Sequence, residues 1–199
     1  MQKKLSNLRE AAANSSWNEC IRITTEMLEQ LNHTNCVLLA TQQVQEYLST
    51  FEEHHPNTIW PREKLNDILK KVEGDKTSHS THFILPDIDS EFDTPGSNGF
   101  INALEVLWEL AFSSDPKRDC PDKATSVIAD IIMARLTNNW GLRHPDEWLR
   151  WYRSAIQGEG DDETAGLAQA QFMNDPIVIK LATAEWYRVA DRLQALLRT

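Results

Sequence analysis

Phe100-Ile101-Asn102-Ala103-Leu104-Glu105-Val106-Leu107-Trp108-Glu109-Leu110 places its apolar residues three and four apart, which is helical spacing and not strand alternation. A second run, Val127, Ile128, Ile131, Ile132 and Leu136, repeats that spacing. Asp115-Pro116 predicts the end of the first helix. Pro121 predicts the opening of the second, at a position where the missing proline N–H costs nothing. These are the most apolar helices of the chain, so they are expected at the centre of a bundle.

Toward the N-terminus the same periodicity continues. Leu5, Leu8 and Ala12 mark a short first helix. Ser16-Trp17-Asn18-Glu19 reads as a capping box, in which hydroxyl and carboxylate satisfy free N–H groups reciprocally. Cys20, Ile23, Met27 and Leu31 then line a second helix, and a third runs from about Thr34 to Phe51. His54-His55-Pro56 stops it, Trp60-Pro61 restarts, and Gly74 is a natural C-terminal stop. Toward the C-terminus, Trp140-Gly141 predicts a break and Pro145-Asp146-Glu147 a new helix start. Asn174-Asp175-Pro176 caps a long final helix. His82-Phe83-Ile84-Leu85 is a short extended piece without a partner strand. The expected fold is therefore an all-α single-domain bundle of about seven or eight helices. It divides into N-terminal helices over 1–73, an acidic inter-helix loop over 74–98, and the central hairpin with the C-terminal helices over 99–199. No repeat period is present, which favours a closed bundle over a solenoid.

The chain resembles the YjaG-like bacterial family, small all-helical proteins of unknown function. The likeness rests on Asn102-Ala103-Leu104-Glu105-Val106-Leu107-Trp108 through Ala124-Thr125-Ser126-Val127-Ile128, and on Asn174-Asp175-Pro176-Ile177-Val178 followed by Glu185-Trp186. The 75–98 loop and the segment around Trp148 and Trp151 depart from the family pattern. The resemblance implies a fold and carries no catalytic residue.

The 199 residues hold 20 Lys and Arg against 30 Asp and Glu, a net charge of −10. Nucleic-acid backbones need a concentrated basic face, so this balance argues against direct nucleic-acid binding and suits a basic protein partner. No stretch approaches the ~18–20 apolar residues of a membrane span. Met1 to Glu10 has a basic start with no apolar core behind it, unlike a secretory signal. Cys20, Cys36 and Cys120 fit neither a disulfide framework nor a CxxC metal site, so a reducing cytoplasm is the expected location.

The charge is unevenly placed. Residues 74–98 carry a net −4 and residues 157–163 another −4, which leaves the helical body close to neutral. In the first loop Asp87, Asp89, Glu91 and Asp93 alternate with Ile88 and Phe92. That spacing matches the early ligand positions of a calcium loop, but Phe92 stands where Gly is required and Asn98 where Glu is required. In an extended conformation the carboxylates face one way and Ile88 and Phe92 the other, an apolar anchor flanked by steering charge. The second loop supplies Glu159, Asp161, Asp162 and Glu163. Trp148, Trp151 and Tyr152 share one helix face, as a wide core face or as an interface cluster.

The expectation from these features is a non-enzymatic binding module without cofactor or metal. In concrete form it is an immunity protein that neutralises a cognate basic toxin, such as a nuclease. The candidate partner-binding residues are the acids of both loops with Ile88, Phe92, Trp148 and Trp151. One alternative is a metal-dependent hydrolase using His79, His82 and Asp87, although a zinc site needs three or four converging ligands and no HExxH supplies them. Another is a helical scaffold that self-associates through the aromatic helix, and monomer and homodimer stay open. His33 and Cys36 are close enough in sequence for a Cys–His pair, but a small buried Cys is the simpler reading.

Overall fold

A computed structural model describes residues 2–74, 94–113, 115–155 and 162–197. Among these, nine helices and no strand are present: α1 (Gln2–Ala13), α2 (Trp17–Leu28), α3 (His33–His54), α4 (Trp60–Val72), α5 (Ser97–Ala111), α6 (Pro116–Arg143), α7 (Pro145–Ala155), α8 (Asp162–Asn174) and α9 (Pro176–Leu196). The protein is an all-α single-domain bundle.

The α5–α6 pair forms the centre. Phe100, Leu104 and Leu107 of α5 and Val127, Ile128, Ile131 and Ile132 of α6 are wholly buried. The helices also approach closely, since a Cβ at Gly99 would stand 3.2 Å from the Asp130 carbonyl oxygen. α3 packs across both. The first and last helices meet: Arg9 donates to Asp191 at 2.7 Å, and the Thr183 hydroxyl donates to the Ala12 carbonyl at 3.1 Å. That contact closes the bundle.

Local chemistry sets several helix ends, at Asp175 and Gly74 as expected and also at Asn32. Asn32 caps α3 by accepting from the Asn35 N–H, and Asp175 caps α9 by accepting from the N–H groups of Ile177 and Val178. Gly74 ends α4 with φ +87°, the left-handed conformation that glycine adopts without penalty.

Four expectations are corrected. The Ser16 box does not form: Ser16 (φ −88°, ψ 76°) makes no side-chain cap, and Glu19 instead accepts from Arg22 Nε at 2.8 Å. An accessible arginine one turn away offers the carboxylate a charged donor in place of a neutral N–H. Pro121 lies inside α6, which begins at Pro116. Gly141 does not break α6, which runs on to Arg143 with the His144 N–H donating to the Trp140 carbonyl at 2.9 Å. The glycine is there because Pro95 packs where its side chain would be. Finally, the count of seven or eight helices falls short of the nine described, because α8 carries little periodic signal. Only Ala168 and Phe172 of its described side chains are buried, whereas Leu167 and Met173 are about 60% exposed. Its Ala, Gln, Leu and Met content favours helix without marking a face.

Candidate functional site

The described ends of the two acidic connectors can be traced residue by residue. The first connector leaves α4 at Gly74 and rejoins the described chain at Thr94. His55, just past the end of α3, holds the rejoining end: its Nε2 lies 2.8 Å from the Thr94 hydroxyl and 3.0 Å from the Ser97 hydroxyl. Gly96 turns the chain with φ +86°, and a Cβ there would overlap the Tyr47 hydroxyl and the Ala134 carbonyl. Pro95 sits against Gly141 of α6, and Trp148 Cγ of α7 stands 3.3 Å from the position a Gly141 Cβ would take. The first connector is thus rooted beside the start of α7.

The second connector leaves the C-terminal end of the same helix. Ala155 is seven residues beyond Trp148, about 10 Å along the axis at the ~1.5 Å rise of an α-helix. α8 then folds back on α7 through an aromatic seam. Trp151 lies 5.4 Å from Phe172 and 6.1 Å, edge-on, from Trp140; Trp148 lies 5.8 Å from Trp151 and 5.9 Å from Tyr152. Tyr152 is 4% exposed, and Trp148 and Trp151 are half-buried against the core. The three rings share one face, as their spacing predicts, and that face is occupied chiefly by α6 and α8.

Asp87, Ile88, Asp89, Glu91, Phe92, Asp93, Glu159 and Asp161 lie outside the described residues, as do His79, His82 and the His82–Leu85 piece. Asp162 opens α8, and Glu163 follows it as an exposed residue in the first turn. A carboxylate there complements the positive end of the helix dipole. Sequence reasoning missed Pro95 and Gly141, the two residues that bring the first connector to α7. The available signal was a glycine inside an otherwise helical pattern, which marks close backbone approach as well as it marks a break.

The helical body largely neutralises itself. Arg9, Arg22, Arg62, Arg135, Arg143, Arg188 and Arg192 each have a carboxylate partner. Burial tends to raise the Asp175 carboxyl, but hydrogen bonds from Arg143 and from the Ile177 and Val178 N–H groups outweigh it and hold the group below its ordinary value.

His33 and Cys36 do not pair. His33 Nε2 lies 3.0 Å from the Leu110 carbonyl, and the Cys36 thiol faces the Leu28 carbonyl at 3.6 Å. Hydrogen bonding to Cys120 and burial push the Cys36 thiol well above its ordinary value, the opposite of an activated nucleophile. Among the described residues no group of three or more His, Cys, Asp or Glu side chains is arranged to hold a metal ion. No described helix is long and apolar enough to cross a membrane.

No family model matches the chain, and neither a curated protein nor a solved structure gives a significant match.

Proposed function

We propose that this chain is a protein-binding module that captures a basic protein partner, in concrete form a bacterial cytoplasmic immunity protein that blocks a cognate toxin. The toxin would carry a basic cleft, as a nuclease does for phosphates. The observation that supports the reading is the placement of charge. Residues 74–98 and 157–163 each carry a net −4 of the total −10. The rejoining end of the first connector and the departing end of the second both lie along one helix, α7, while seven arginines of the body have carboxylate partners within the fold. Concentrated charge of one sign raises association rates with an oppositely charged partner, whereas dispersed acidity does so far less. Ile88 and Phe92 would anchor the partner, and the surrounding acids would steer it. The YjaG-like resemblance is part of the same proposal and bears on the fold only.

The test begins with retention of a basic protein from the native host on the immobilised chain. The association rate of that protein is then measured from low to high salt. The comparison is a variant with Asp87, Asp89, Asp93, Asp161 and Asp162 changed to Asn and Glu91, Glu159 and Glu163 changed to Gln. At low salt the variant is expected to associate ~10- to 1,000-fold more slowly, and the difference should shrink as screening rises. Equal rates and equal salt dependence for the two proteins would overturn the proposal.

A further inference from the structure

A second feature of the molecule is independent of the acidic connectors. Between α3, α6 and α9 lies an open cleft of about 380 Å³. Three helical stripes line it. α6 contributes Arg135, Asn138, Asn139 and Leu142, and α9 contributes Leu181, Glu185 and Arg188, each set spaced to share one helix face. α3 adds Glu46, Tyr47 and Thr50.

A count of donors and acceptors shows what the cleft lacks. Glu185 is 6% exposed, and both its oxygens are taken: Oε2 by Arg135 Nη1 at 2.6 Å and Oε1 by Arg188 Nη1 at 2.7 Å. Both oxygens of Glu46 are taken as well, Oε2 by Arg135 Nη2 at 3.1 Å and Oε1 by Arg192 Nη2 at 2.5 Å. Burial raises the Glu46 carboxyl, yet the hydrogen bonds from Arg192 and Arg135 prevail and keep it below its ordinary value, so it stays ionised and committed to them. The Asn138 amide oxygen faces His54 Nε2 at 3.1 Å, and the Asn139 oxygen accepts from Arg143 Nε at 3.1 Å. The Tyr47 hydroxyl donates to the Ala134 carbonyl at 3.3 Å.

Apart from the Thr50 hydroxyl, which can donate or accept, the acceptors of these side chains are engaged within the fold, and donors remain. Among the described residues, no acceptor takes the NH2 groups of Asn138 and Asn139 or the Nε and Nη2 of Arg188. One turn further along α9, Arg192 Nη1 is buried without a partner. Two guanidinium groups of the lining, Arg135 and Arg188, stand with two carboxylates, Glu46 and Glu185, and Arg192 joins Glu46 from outside the lining. Leu136, Leu142 and Leu181 supply apolar wall. Unengaged N–H donors, guanidinium groups and an apolar side are the features that recognise an oxyanion on an organic group.

We propose that the α3–α6–α9 cleft binds a small organic oxyanion, a carboxylate or a phosphate monoester, through Arg188, Asn138 and Asn139, with Arg135 held in place by the two glutamates. The ligand's oxygens accept from the Asn amides and from Arg188, and its carbon skeleton lies on Leu142 and Leu181. The salt-bridge ladder Arg192–Glu46–Arg135–Glu185–Arg188 fixes the donors before the ligand arrives, which reduces the ordering cost of binding.

The test uses the full chain with two probes, inorganic phosphate and benzoate, each titrated to about 20 mM, since single-anion affinities in open sites fall near the millimolar range. Binding is read from backbone amide shifts in nuclear magnetic resonance, against sodium chloride at the same ionic strength. Asn138→Asp with Asn139→Asp keeps the oxygens that His54 and Arg143 use, replaces the NH2 donors with acceptors and adds two negative charges that repel an anion. Arg188→Gln, at a side chain 59% exposed, is a second variant whose fold should be unaffected. Saturable shifts at Arg135, Asn138, Asn139 and Leu142 that weaken at least ~10-fold in either variant support the proposal. Response to phosphate alone or to benzoate alone also supports it and identifies the anion class. Shifts no larger than those of chloride, or an affinity that neither variant changes from that of the unaltered chain, overturn it.

Discussion

The α5–α6 pair and the α7–α8 pair are both antiparallel helical hairpins, and they are held by different physics. α5 and α6 interlock through continuous aliphatic stripes, with Leu104, Leu107, Ile128 and Ile131 fully buried. Gly99 lets the two backbones approach. α7 and α8 meet through large rings: Trp151, in line with Trp148 and Tyr152 on α7, lies against Phe172 of α8. In the first pair burial is spread over many residues, and the loss of any one leaves a cavity that rigid neighbours cannot fill. In the second, two of the rings, Trp148 and Trp151, remain partly exposed. The central pair should therefore behave as part of the global folding unit, and the aromatic pair as a unit that can open locally.

The sharpest break of that comparison is Leu104→Ala. It should cost ~3–5 kcal/mol, with chemical denaturation showing one cooperative transition shifted to lower denaturant. Trp151→Ala should cost less, ~2–3 kcal/mol, because part of the ring is already exposed and α8 can settle. Its distinguishing sign is local. Amide exchange should accelerate across α7 and α8 while protection in α5 and α6 is kept. Uniform acceleration across all four helices would show that the two pairs form one unit.

The smallest expected effect concerns a polar residue within the central pair. Burial pushes the Asp130 carboxyl up from 3.8 to about 6, against the opposing pull of its Ser126 hydrogen bond. The folded chain thus disfavours the ionised form. Asp130 lowers stability as pH rises from about 4 through 6, and its full cost is present above that window. Asp130→Asn should stabilise the protein at pH 7 by ~1–2 kcal/mol, discounted for partial solvent access, or roughly 2–6 °C in Tm. The gain should vanish near pH 4. A gain that is the same at both pH values would mean that the amide acts by packing and not by charge.

Asp130 also marks where one-dimensional reading stops. Its position on α6 is evident from the apolar period around it, but its burial depends on the approach of α5. The same holds for the aromatic helix. Spacing put Trp148, Trp151 and Tyr152 on one face, and only the return of α8 says what covers that face. For the candidate binding corner, the net charge of each connector was legible as composition. That one end of each lies at α7 was not, because it depends on Pro95 touching Gly141 across a separation of 46 residues.

The amino-acid sequence by itself determined the helical class, the apolar stripes of α5 and α6, the cap at Asp175, the stop at Gly74 and the uneven charge. Each of these is a local property, written in the spacing or chemistry of residues within a few turns. Only the tertiary structure decided that α6 runs through Pro121 and Gly141, that α8 exists, and that Arg135, Asn138 and Arg188 face one cleft. Those outcomes turn on which distant surface fills a gap, and burial against a distant partner outweighs local preference wherever the two disagree.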